Sequence, residues 1–209
     1  MERKQVGIVL YEDVEVLDFS GPFEVFSVTR LNEEKRREEL SPFQAFLVAE
    51  STSPVVATGG MKVVPDYDLE SCPKLDILLV PGGWGFRPQM NNERLLKWVA
   101  DRSREVETLT SVCTGALLLA KAGLLDGKRA TTHWRWLDSM QEMFPKTTVE
   151  KRLHFVEEGA FFSSAGISAG IDMTLRLVAR YYGEAVARAT ARHMEYPYPD
   201  TDERRITLA

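Results

Sequence analysis

Short apolar runs alternate along this chain with segments whose apolar residues recur every three or four positions. The run QVGIVLY (5–11) is apolar and β-branched, and LDILLVPGG (75–83) is another that stops at a Pro-Gly-Gly turn. Both read as strands buried on two faces. Between them GPFEVFSVTRL (21–31) has helical spacing, with Ser20 as N-cap and Pro22 in the first turn, and FQAFLVA (43–49) reads as a strand.

The pattern continues past the Pro-Gly-Gly turn. NERLLKWVADRSRE (92–105) is amphipathic, TLTSV (108–112) returns to strand character, and TGALLLAKAGLL (114–125) predicts a buried helix closing near Gly123. A strand at ATTH (130–133) and a helix at 134–144 come next, then strands around 149–159 and 160–166 joined by a hairpin through Glu158 and Gly159. A last helix at 168–182 resumes after Gly183 as 184–196 and gives way to a polar segment with Pro197 and Pro199. Such alternation predicts an α/β fold with a mostly parallel sheet covered on both faces. We read one domain over 1–196 and a C-terminal tail at 197–209.

At 209 residues and 44% hydrophobic the chain can bury one sizeable core. Its formal net charge is −5 and it has no long Lys/Arg run, so the footprint of a nucleic-acid binder is missing. The densest cluster, NEEKRREE (32–39), mixes both signs and reads as a solvated helix end or loop. No apolar run approaches the roughly 20 residues that span a bilayer, and Glu12, Asp13 and Glu15 interrupt the N-terminal run before it could serve as a signal peptide. Cys72 and Cys113 are the only cysteines. They make no disulfide framework, which fits a reducing cytoplasm.

If a strand ends at 112 and a helix opens at 114, Cys113 occupies a sharp turn at the carboxyl edge of the sheet, where open α/β folds place ligands. The geometry resembles a nucleophile elbow, and the helix N-terminus should make its thiol more acidic than that of a free cysteine. The alternative is a small apolar core residue. Gly82 and Gly83 either make a tight turn or bring backbone donors to the same edge, where Gly83 and Thr114 could stabilise an anionic intermediate. Asp18, in a loop after the first strand, either caps the following helix or acts as an acid whose proton affinity a neighbouring thiolate raises. His133 follows a predicted strand and could orient the thiolate or a substrate, or only hold a turn. His154 and His193 fall in structural contexts, Cys72 reads as a bystander, and no metal-ligand spacing is present.

The segments VLDFSGPFEVF, DILLVPGG, SVCTGALLLAKAGLLDGKRATTHW and SAGISAGIDMTLRLVA together resemble the ThiJ/PfpI superfamily, of glutamine-amidotransferase-like fold, and most closely its isocyanide (isonitrile) hydratase branch. The resemblance implies a flavodoxin-like three-layer sandwich with a small β-hairpin addition. It implies a Cys113 nucleophile, an acidic partner at Asp18, and a cytoplasmic homodimer without metal or organic cofactor. The activity implied is hydration of an isocyanide to an N-substituted formamide through a covalent thioimidate, with Thr114 assisting. Ile167, Trp84, Trp134 and His133 are the candidate walls of a pocket for a small neutral electrophile. Thr114 stands where protease-like members carry histidine, so a Cys-His protease is the weaker reading. The segment SSAG (163–166) is less glycine-rich than the loop expected beside the cysteine of an isocyanide hydratase. The superfamily domain also occurs in AraC-type regulators fused to a helix-turn-helix region, and the end at Ala209 leaves no room for that module. The rival readings are a glyoxalase, deglycase or amidase-type cysteine enzyme, and a thiol or ligand sensor without turnover.

Overall fold

The computed structural model describes residues 2–207. In chain order the elements are β1 (Lys4–Val9), α1 (Val16–Val28), β2 (Phe43–Ala49), a hairpin of β3 (Val55–Val56) and β4 (Lys62–Val63), β5 (Tyr67–Asp68) and β6 (Ile77–Val80). There follow α2 (Phe86–Gln89), α3 (Glu93–Arg102), β7 (Thr108–Val112), α4 (Gly115–Lys121), β8 (Arg129–Ala130), α5 (Leu137–Met143) and β9 (Thr148–Val149). The chain closes with β10 (Phe155–Glu158), β11 (Phe161–Ser164), α6 (Ala169–Tyr182) and α7 (Glu184–His193).

Seven strands form the central sheet in the order β10-β11-β7-β6-β1-β2-β5. Every neighbouring pair is parallel except the β10–β11 hairpin, which turns through Gly159 at a φ of 62°. The crossover from β1 through α1 to β2 runs toward one edge and that from β6 through α3 to β7 toward the other. Right-handed crossovers in opposite directions place their helices on opposite faces. Accordingly α1 packs with α6 and α7, while α2 and α3 pack with α4. The inner strands are apolar throughout, since Ile77, Leu78, Leu79 and Val80 are all fully buried, as a strand covered on both faces requires.

The strand order reverses between β1 and β6. A crevice therefore opens beyond the carboxyl ends of β1, β6 and β7, where ligands bind in folds of this kind. Several boundaries differ from the sequence expectation. Helix α1 begins at Val16 and not after Ser20, because Phe19, Gly21, Pro22, Val25 and Phe26 extend its buried stripe one turn back. Ser20 is inside the helix and caps nothing. The residue before the helix, Glu15, makes no side-chain cap either. The predicted strand at 130–133 survives as β8, which pairs with β9 outside the main sheet. Trp134–Trp136 forms a 3-10 turn before α5. The β3–β4 hairpin, β5 and the single-turn α2 have too few residues to produce a periodic signal.

The segment after α7 lies along the chain ahead of β10. His154 N–H donates to Asp202 O at 2.6 Å, Arg204 N–H to Arg152 O at 2.7 Å, and the Arg205 guanidinium meets the fully buried Asp172 at 2.9 Å. Residues 208 and 209 of the predicted tail lie outside the described residues. No helix among the described residues is long and apolar enough to cross a membrane.

The start of α4 is tightly constrained. A Cβ at Gly115 would stand 2.0 Å from Val80 O and 2.8 Å from Pro81 O, both backbone atoms with nowhere to go. Gly115→Ala is expected to lower stability by about 3 kcal/mol, the upper end of what overpacking a tight site costs. Denaturant unfolding measures this, and a loss under about 0.5 kcal/mol, the range of neutral surface changes, would show that the elbow shifts freely.

Candidate active site

Cys113 joins β7 to α4 in a left-handed backbone conformation, φ 57°. Few side chains tolerate that region, and where one does the surrounding structure must hold it. Here Thr132 Oγ1 donates to Cys113 O at 2.8 Å, while Cys113 N–H is directed at Ser164 O and Ala165 O at 3.2 and 3.3 Å. The turn thus carries the nucleophile-elbow geometry, with the sulfur raised above the sheet edge. Gly166 flanks that sulfur so closely that a Cβ there would lie 3.1 Å from Sγ and 2.2 Å from the His133 ring.

Asp18 sits in the first turn of α1 and is fully buried. It caps no helix. Its Oδ2 accepts from Gly82 N–H at 2.9 Å, the Cys113 thiol lies beside the carboxyl, and Oδ1 has no partner among the described residues. The glycine at 82 is required, because a Cβ would come within 2.5 Å of Thr114 N and Oγ1 and 2.9 Å of Asp18 Oδ2. Tyr11 holds the same turn from below, its hydroxyl donating to Pro81 O at 2.7 Å.

Burial pushes the Asp18 carboxyl well above the usual carboxylate range, against the lowering effect of Gly82 N–H. Burial also pushes the Cys113 thiol well above its ordinary value, and the Asp18 charge adds to this despite the hydrogen bond from Thr114 N–H. The expected acidic thiol is therefore not found. At 5% exposure, desolvation outweighs the short helix behind it. Both groups hold their protons more tightly than usual because they cannot both be charged, and the titration belongs to the pair.

Thr114 borders the sulfur, where its N–H and hydroxyl act to lower the thiol pKa, and its hydroxyl also donates to Gly83 O at 3.4 Å. Gly83 N–H, expected as a free donor, is directed at Thr114 Oγ1 at 3.1 Å. Gly83 (φ 125°) instead packs its backbone against residues 13–15, pairing with Val14. Its contribution to an anionic intermediate would pass through the Thr114 hydroxyl.

A cavity of about 290 Å3 opens over Cys113 and Thr114. Trp84, Trp134, His133 and Ile167 line it, as do Glu15, Phe86, Arg135 and Trp136, which had no distinguishing signal in the sequence. His133 Nδ1 accepts Arg135 N–H at 3.3 Å, which leaves the ring proton of the neutral form on Nε2. Burial, reinforced by Arg135 and Arg204, lowers the His133 pKa and keeps the imidazole neutral. His154 is distant in role, its Nε2 lying 2.8 Å from Asp172 Oδ2. Burial pushes the Cys72 thiol up to about 11, in keeping with an unreactive residue.

A doubly wound sheet with a cysteine on a strained elbow and a buried carboxyl beside it defines a class of α/β proteins built around a single thiol. The chain belongs to the DJ-1/PfpI family, whose profile matches residues 4–180. It is 35% identical to an isonitrile hydratase from Pseudomonas putida over 199 residues, 95% of this chain and 81% of that protein. It is 33% identical to the HTH-type transcriptional regulator GbdR of Pseudomonas aeruginosa (strain UCBPP-PA14) over 156 residues, 74% of this chain but 42% of the regulator. A crystal structure of a ThiJ/PfpI family protein from Pseudomonas syringae superposes with a TM-score of 0.82 at 29% identity, covering 97% of this chain and 79% of that one.

Two measurements follow from this coupling. The folded-state pKa of Asp18 is raised, so its contribution to stability is complete below the unfolded value of 3.8 and is lost as pH rises toward the folded value. Asp18→Asn removes that loss while keeping an acceptor for Gly82 N–H. Its stability relative to wild type, from urea unfolding, is expected to increase from pH 4 toward neutrality; a pH-independent difference would contradict a protonated carboxyl. In the same variant the pH midpoint of Cys113 alkylation is expected to fall, because the charge that raises it is gone.

Proposed function

We propose that the protein hydrates isocyanides, R–NC, to N-substituted formamides. The buried Cys113–Asp18 pair carries this reading. It holds a nucleophile and one transferable proton side by side, which is what a terminal isocyanide carbon accepts. Similarity to an isonitrile hydratase along most of both chains supports it.

In the first step the Cys113 sulfur bonds to the isocyanide carbon, and the proton held by Asp18 is delivered to that same carbon. The product is a thioimidate, R–N=CH–S–Cys113, beside an ionised Asp18. Asp18 then removes a proton from water as its oxygen adds to the carbon and passes that proton to the nitrogen, which leaves Asp18 ionised again. Collapse of the adduct breaks the C–S bond, releases R–NH–CHO and returns one proton to the pair. Atoms balance as R–NC plus water. Thr114 N–H and hydroxyl stabilise the charge on sulfur as it attacks and as it leaves. Desolvation of the pair matters here, since neither partner can relax by ionising into water.

A ligand-sensing role is the second reading, favoured by the likeness to part of GbdR. The discriminating experiment follows formamide formation from phenyl isocyanide. Turnover is expected for wild type, with a loss of at least about a thousandfold in Cys113→Ala and a comparable loss in Asp18→Ala, the scale associated with removing a nucleophile or its proton donor. Thr114→Ala is expected to retain the pair and lose about a hundredfold to a thousandfold in kcat, as for removal of one charge-stabilising donor. No turnover by wild type would reject the hydratase reading and favour the sensor.

A further inference from the structure

The cavity that holds Cys113 has a largely aromatic lining that includes one guanidinium, that of Arg135, while Arg87 stacks on three of the lining rings. Arg135 lines the cavity and lies over the Trp134 ring at 4.8 Å. Arg87 lies over Trp84, Phe86 and Trp136, at 4.9, 5.2 and 5.0 Å from their centroids. Stacking fixes a guanidinium by its faces and leaves its five in-plane N–H donors free. Among the described residues neither arginine has a carboxylate within salt-bridge distance, and neither side chain makes a hydrogen bond. Both arginines are exposed, so their charges are solvated, and Arg135 remains open to a ligand entering the cavity.

One acidic residue, Glu15, does line the cavity. It precedes the first turn of α1 and caps nothing with its side chain, so the helix N-terminus offsets part of its charge. His133, the nearest titratable neighbour of Arg135, is neutral and cannot satisfy it. The positive end of the cavity therefore belongs to Arg135, with Arg87 buttressing the aromatic wall beside it.

We propose that Arg135 is a specificity-determining residue that selects electrophiles carrying a carboxylate away from the reacting carbon. The carboxylate would pair with the guanidinium in a two-point contact, while the apolar body of the substrate lies on Trp134 and Ile167 and the neutral reacting group faces Cys113. This replaces the expectation of a wholly neutral substrate, which followed from the apolar side chains alone. The inference rests on Cys113 being the nucleophile of the cavity, but not on the isocyanide being its substrate.

The test uses two alkylating probes of nearly equal size, 4-(2-iodoacetamido)benzoate and 4-(2-iodoacetamido)benzamide, each losing iodide to the thiolate. Modification of Cys113 is followed by peptide mass, and the ratio of the two rate constants is referred to that of 2-mercaptoethanol. Wild type is expected to favour the benzoate probe by about tenfold relative to the reference, the order of one charge-assisted contact. Arg135→Gln is expected to abolish the preference, Arg135→Lys to keep part of it, and the distant Arg104→Gln to leave it unchanged. In parallel, 4-isocyanobenzoate is expected to show a lower KM than phenyl isocyanide at similar kcat, and Arg135→Gln to remove the difference. A wild-type ratio equal to the reference, or a preference that survives Arg135→Gln, overturns the proposal. Alkylation preference without turnover of either isocyanide rejects the hydratase reading alone. Failure of both probes to reach Cys113 overturns the proposal together with its nucleophile.

Discussion

A thiol and a carboxyl are buried against each other at a sheet edge, where both cannot be ionised. This constraint connects the chemistry of the protein to its fold. Asp18 is fully buried and accepts a single backbone hydrogen bond, from Gly82, beside its contact with the Cys113 thiol. In such surroundings ionising both groups would place two like charges in a poorly solvated site, and the second ionisation is correspondingly costly. Losing the proton to solvent is therefore unfavourable, while handing it to a reacting carbon is not. Several unusual backbone features serve to hold the pair in place: the left-handed Cys113, Gly115 pressed on Val80 O, Gly82 pressed on Thr114, and Gly166 against the sulfur.

The three segments that meet at the pair follow β1, β6 and β7, which are neighbours in the sheet although up to a hundred residues separate them in sequence. Parallel pairing brings their carboxyl ends to one edge, and the reversal of strand order leaves that edge uncovered. Tyr11 and Thr132 tie the loops together through backbone oxygens, at Pro81 and Cys113 respectively. Neither side chain contacts solvent to any extent, so their effect on reactivity is exerted through the backbone they hold.

Much of this architecture was legible in the chain. The runs 5–11, 43–49, 75–83 and 108–112 are strands, and the cysteine lies at a strand-to-helix turn because TLTSV passes directly into an apolar helical pattern. The hairpin through Gly159 was legible from its turn residues. The true start of α1 was not, because Pro22 suggests a first turn and the helix instead accommodates it internally. Thr132 and Gly166 stood within segments already singled out, ATTH (130–133) and SSAG (163–166), but their contacts with Cys113 depend on how β7 and β11 pair in space.

By itself, the sequence determined the longer strands and helices, their order along the chain, and the presence of a cysteine at a strand-to-helix turn. Hydrophobic periodicity and turn chemistry are local, so they can be read without coordinates. Only the tertiary structure decided the proton balance of Cys113 and Asp18, the capture of Gly83 N–H by Thr114 and the placement of Arg135 in the cavity wall. Desolvation reverses the acidity expected from a helix N-terminus, and desolvation depends on everything packed around a group. Local sequence does not specify those neighbours.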